Sequence, residues 1–186
     1  MRTPLQTPQE IRQQIWRELA RATQDRHHAW RTPVLATVGS DGLANARVVV
    51  LREVDVAHQT LRAYTDARSP KVGELLREPK AMFVFWSDRL NWQLRARVVI
   101  SADTSGPEVQ ARWQLVRQSA SATDYLGPVA PGDDLEPARG GITSTDAGHH
   151  FALLSAQVLE MDWLELSRDG HRRANLRPDG WRWLAP

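Results

Sequence analysis

Residues 90–100 alternate without a break: Leu90, Trp92, Leu94, Ala96, Val98 and Ile100 fall on one side, and Asn91, Gln93, Arg95 and Arg97 on the other. A period of two sustained this long is the mark of a β-strand with one buried face. Its length suits the wall of a barrel better than a small sandwich. Neighbouring segments share the texture. Residues 34–38 predict a short strand, Ser40-Asp41-Gly42 a hairpin turn, and residues 46–54 a β-branched strand. Residues 60–65 and the apolar run 82–86 predict two more. The pattern returns over residues 153–166, and Asp169-Gly170 and Asp179-Gly180 punctuate a closing meander.

Helices are few and segregated. Thr7, Pro8 and Glu10 spell an N-cap, a first-turn proline and a capping-box glutamate, with Ile11, Ile15 and Leu19 at helical spacing beside Trp16. Residues 107–118 predict a second helix carrying Val109, Trp113 and Val116. Residues 119–150 have little periodicity and predict a long irregular loop. Hairpin-joined strands with peripheral helices predict an α+β, mainly β protein built on an antiparallel barrel. At 186 residues the expectation is one domain spanning 1–186, with 1–29 as an N-terminal helical segment.

Composition removes whole classes of chemistry. The chain has no cysteine, which excludes disulfides, zinc–thiolate sites, iron–sulfur clusters and thiol catalysis. No apolar run approaches the ~20 residues a membrane helix needs, and the opening MRTPLQTPQE lacks a secretory apolar core, so the expected location is cytoplasmic. Basic and acidic residues nearly balance, 24 against 22, with no basic block, so no nucleic-acid partner is expected. His27-His28 and His149-His150 lack a spaced set of carboxylates, and no metal site is expected. Asp133, Asp134 and Glu136 read as a solvated loop cluster, and no nucleophile-elbow motif is present.

The informative stretch is residues 64–71. A strand ends at Thr65, and Ser69 and Pro70 open a short helix whose buried face is Val72, Leu75 and Leu76. A helix start is an anion site, and Lys71 adds a cation in the first turn, where a cation is otherwise unfavourable. Arg47 lies in the apolar run Arg47-Val48-Val49-Val50-Leu51-Arg52. A charge there needs a partner: either a ligand anion or a cross-strand salt bridge. Strict alternation puts Arg47 and Arg52 on opposite faces, unless the strand bulges.

In order and spacing, Arg47 to Arg52, Tyr64-Thr65 with Ser69 and Lys71, Trp86 leading to Gln93, and Trp163 followed by His171 and Arg173 resemble the pyridoxamine 5′-phosphate oxidase family. The resemblance runs from about residue 30 to residue 186. It implies an FMN-binding split β-barrel and a homodimer with FMN at the interface. Arg47, Ser69 and Lys71 would hold the flavin phosphate. The backbone of Val48, Val49, Val50, Leu51 and Arg52, with Tyr64 and Thr65, would line the ring and ribityl chain. Gln93, Trp163 and Arg173 would come from the neighbouring subunit. The implied activity is that of an FMN-dependent oxidoreductase acting on a small molecule, with His171 and Arg52 as catalytic residues and Arg117, Ser121 and His171 as substrate contacts. Pro70 replaces a second basic residue, Trp113 stands where the oxidase has a tyrosine, and Asp169 stands where it has an arginine, which implies an altered substrate and the oxidase-like branch of unassigned activity. The alternatives are a flavin-binding protein without turnover and a split barrel that binds haem.

Overall fold

The computed structural model describes residues 7–134 and 148–186. The helix opening the described chain, α1 (Pro8–Gln24), has the expected capping box: the Thr7 side chain accepts from the Glu10 N–H, and the Glu10 carboxylate accepts from the Thr7 N–H. Its apolar stripe, Ile11, Ile15 and Leu19, is fully buried. A 3-10 turn at Ala29–Arg31 follows, with Trp30 inside the core.

Among the described residues nine strands form one antiparallel sheet: β1 (Val34–Val38), β2 (Ala44–Val48), β3 (Leu51–Asp55), β4 (Thr60–Asp66), β5 (Lys80–Ser87), β6 (Trp92–Asp103), β7 (Phe151–Glu165), β8 (Arg172–Arg177) and β9 (Gly180–Leu184). Helix α2 (Pro70–Arg77) lies between β4 and β5, and α3 (Pro107–Val116) follows β6. The main path runs β2-β1-β5-β6-β7-β4-β3, with β8 on β7 and β9 on β8. The β1–β2 turn bends at Gly42, whose φ of 80° is a left-handed conformation that glycine adopts freely.

The expected strand over residues 46–54 is two strands, β2 and β3, separated by Val49 and Val50. One pairs with β1 and the other with β4, at opposite ends of the main path. Two intervening residues span no more than about 11 Å. The sheet must therefore roll until its two ends nearly touch, which is why an apolar run without a turn signal can still break. The seam is not hydrogen-bonded shut.

Strand β7 is the hinge of the architecture. One edge follows β6 throughout, while the other pairs with β4 over residues 151–157 and with β8 over residues 161–165. Where the partner changes, the β6–β7 register slips between Arg97 and Val98, a bulge of the kind that bends a strand. Inside the roll, Leu94, Ala96, Val98, Ile100 and Trp163 are buried as the alternation requires. A smaller cluster, Val109, Trp113, Val116, Tyr125, Phe151 and Leu153, packs beneath α3 and a 3-10 turn at Ala120–Tyr125. That turn gives structure to part of the expected 119–150 loop; residues 135–147 of it, including Glu136, lie outside the described residues.

Candidate functional site

The site begins where β4 ends. Thr65 is buried and paired with Ala152, and the chain turns through Asp66 to Ser69 before α2 starts at Pro70. The turn is pinned: Arg68 makes a forked ion pair with Asp66 and also donates to the carbonyls of Gly127 and Pro128. Ser69 occupies the N-cap position, but its side chain makes no capping hydrogen bond. The Lys71 ammonium donates instead to the hydroxyls of Thr65, at 2.9 Å, and Ser69.

Arg47 reaches the same place from β2. Its guanidinium pairs with Glu74 at 2.9 Å and donates to the Thr37 hydroxyl. The partner that the apolar strand demanded is thus an acid from α2, as well as any ligand. Glu74 also accepts from Asn45 at 2.7 Å and from Thr37. Burial works to raise its pKa, but these bonds and Arg47 hold it below the usual carboxylate range. Glu74 was not visible as a site residue in the sequence, because its partners come from β1 and β2, far away along the chain. The same contacts set the rotation of α2: Glu74 is buried, while Leu76, expected on the apolar face, is 70% exposed.

Arg47 pairs with Glu74, while the Lys71 ammonium has hydroxyl partners and no ion pair among the described residues. Burial first, and then the Arg47 charge, pull the Lys71 ammonium below its ordinary 10.5, against the opposing pull of Asp66 and Glu74. Two hydroxyls, a helix start and an under-neutralised pair of cations form a cradle for a phosphate.

Arg52 lies on a different face. The β3–β4 register shifts between Leu51 and Glu53, so Arg52 sits at the irregularity that strict alternation called for. Its guanidinium is 5.7 Å from the Tyr64 ring centroid. The Tyr64 hydroxyl donates to Glu53 at 2.6 Å, and Glu53 also takes a forked pair from Arg112. Burial and then Glu53 push the Tyr64 phenol up, so it stays protonated. Val48 is 63% exposed, Val49 and Val50 are half-buried, and Leu51 is in the core.

The remaining predicted residues gather elsewhere. Gln93 of β6 and Arg173 of β8 flank Leu164 at one register level, on the polar outer face. Arg173 makes a forked pair with Asp162 at 2.8 and 3.0 Å, and Arg95 takes the same carboxylate at 2.6 Å. Burial works to raise the Asp162 pKa, and the two arginines overcome it. His171 is exposed in the β7–β8 turn, its Nδ1 accepting from the Ser167 N–H at 3.2 Å. Trp163 is 0% exposed and edge-on to Trp92 at 5.2 Å, with its indole N–H left without a partner. Trp113 is likewise inside an aromatic cluster, 4.4 Å from the His149 ring. Arg117 is exposed and donates to Gln114, and Ser121 is linked to Ser119.

Cradle and outer group lie at opposite ends of β7: Thr65 pairs with Ala152 and Arg173 with Leu164. The strand has 15 residues, and at about 3.3 Å each its contour is roughly 45 Å. Within one chain the two groups are apart. Among the described residues no cluster of His, Asp or Glu could hold a metal, and no helix is long and apolar enough to cross a membrane.

A rolled, unclosed antiparallel sheet is the architecture of the split β-barrels, and the two cations beside its seam are groups that can bind a phosphate. Residues 13–101 match the family model described as pyridoxamine 5′-phosphate oxidase, FMN-binding domain, and FMN is the cofactor that this match indicates. A 105-residue stretch is 48% identical to pyridoxine/pyridoxamine 5′-phosphate oxidase of Thermosynechococcus vestitus, covering 55% of this chain and 49% of that protein. The protein of that name from Chromohalobacter salexigens is 40% identical over 131 residues, 70% of this chain and 48% of the other. The chain spans about half the length of these curated relatives. Among solved structures, an FMN-binding protein of Nostoc punctiforme PCC 73102, described as pyridoxamine 5′-phosphate oxidase-related, superposes with a TM-score of 0.73 at 22% identity, covering 98% of this chain and all of that one. PhzG from Burkholderia lata 383, in complex with tetrahydrophenazine-1-carboxylic acid, gives 0.69 at 20% identity over 94% and 91% of the two chains. At these identities the superpositions establish the fold alone.

Proposed function

We propose that the chain is an FMN-dependent oxidoreductase acting as a homodimer on a small molecule, with a substrate other than pyridoxamine 5′-phosphate. The observation that carries this reading is the pair of cations at the start of α2, Arg47 and Lys71, with the hydroxyls of Thr65 and Ser69 between strand and helix. That donor set fits the dianionic phosphate of FMN. When bound, FMN supplies a two-electron acceptor that the side chains lack.

The protein's part is to bind, orient and move protons. Arg47 and Lys71 fix the phosphate, and Glu74 holds the Arg47 guanidinium in place. Gln93, Arg173 and His171 reach the cofactor from a second copy, because β7 keeps them from the cradle of their own chain. The outer sheet face supports such pairing. Val34, Ala36 and Val38 of β1 stand opposite Val48, Ala46 and Ala44 of β2, with Val48, Val38 and Trp86 exposed at 63%, 37% and 42%. Apolar surface of this kind marks an interface. His171 Nε2, the nitrogen left by the Ser167 contact, exchanges the substrate proton.

Arg47→Ala and Lys71→Ala are each expected to strip FMN from protein that remains folded by circular dichroism. Full flavin absorbance after gel filtration of both variants would sink the cradle assignment. A second reading, the oxidase activity carried in the relatives' names, is favoured by the 48% identity. The same preparation incubated with pyridoxamine 5′-phosphate separates the two, since the altered-substrate reading expects no turnover.

A further inference from the structure

Glu74 stands in the cradle with the wrong sign of charge for an anionic ligand. It is buried on α2 and accepts from three donors: the Arg47 guanidinium at 2.9 Å, the Asn45 amide at 2.7 Å and the Thr37 hydroxyl. Those partners hold its carboxyl below the usual range against the effect of burial, so it is ionised at neutral pH. The docking of α2 does not call for an acid there. Val72 and Leu75 already bury the apolar side of the helix, and a carboxylate taken out of water carries a desolvation cost.

The charges around the cradle can be counted. Arg47, Asp66 and Glu74 are the charged groups acting on Lys71, and Asp66 is already matched by Arg68 within its own turn. Arg47 and Lys71 therefore share one negative charge between them, leaving one net positive charge to meet a phosphate monoester of about −2 at neutral pH. In the empty cradle Glu74 is favourable: it gives the part-buried Arg47 a counter-ion and relieves its repulsion of Lys71. Once a phosphate supplies that counter-charge, the carboxylate is redundant for the cations and repels the newcomer.

We propose that Glu74 sets the strength of the phosphate grip, stabilising the cradle while it is empty and lowering its affinity for the flavin phosphate. This rests on the flavoprotein reading above and makes Glu74 the determinant of how strongly that site prefers FMN to riboflavin. Glu74→Gln removes the charge and keeps the shape. The new carbonyl oxygen can accept from Arg47 and Thr37, while Asn45 turns its own amide to accept from the new NH2 group.

The test titrates FMN and riboflavin, which differ only in the phosphate, into the flavin-free full chain by fluorescence quenching. In Glu74→Gln the FMN-to-riboflavin affinity ratio should rise at least threefold, while the flavin-free variant melts below the unmodified protein. A carboxylate that merely orients Arg47 would lower the ratio on removal, so a lower or unchanged ratio overturns the proposal. An unchanged melting point refutes its stabilising half. Asn45→Asp adds a second acid at an exposed position on the edge strand β2 and needs nothing of the first variant. It should lower the ratio at least threefold, and an unaltered ratio there also overturns the proposal. Protein that binds neither flavin overturns the flavoprotein reading, and this inference with it.

Discussion

Lys71 carries the sharpest consequence at the scale of one residue. Its ammonium is held below 10.5 by burial and by Arg47, and a phosphate placed beside it would favour the charged form and raise the pKa again. FMN uptake at alkaline pH therefore draws in a proton. Affinity should stay level while the free protein's lysine is charged and fall as pH rises through its lowered pKa toward 10.5. Lys71→Arg, which stays charged, should flatten that decline. Titrating FMN fluorescence against pH for both proteins checks it, and parallel curves would refute it. The sequence made Lys71 legible because a cation in a first helical turn violates a local rule. It posed Arg47 as a choice between an acid and a ligand; the side chain has the acid, Glu74, and lies beside Lys71 as well. The burial of Trp163 was not legible, because a spacing motif carries position along the chain while burial depends on Trp92 and on sheet curvature.

Elements were legible where their causes are local. The α1 cap was readable from Thr7, Pro8 and Glu10 because every partner lies within one turn. Thr7→Ala should cost about 1 kcal/mol, seen as a lower urea midpoint with an unchanged slope; an unaltered midpoint would mean the cap is idle. Strand β6 was readable because its alternation is unbroken. The division between β2 and β3 was not, since nothing in Val48-Val49-Val50 says that the chain changes pairing partner there. Nor was the rotation of α2, which answers to Thr37, Asn45 and Arg47 rather than to its own apolar pattern.

For the whole molecule, the proposed homodimer ties assembly to cofactor retention through the separation along β7. Val48→Asp puts a charge on the exposed apolar face without touching the core. It should shift the protein toward monomer in light scattering and release FMN in the same concentration range. A monomer that keeps its flavin would show that one chain holds it unaided. Strand β7 has a longer-term consequence. Because its two halves answer to different neighbours across a single kink, substitutions near the β8 turn leave the α2 end undisturbed. A lineage descended from this barrel is free to vary the end of β7 beside β8, generation by generation, without renegotiating the phosphate-binding end beside α2.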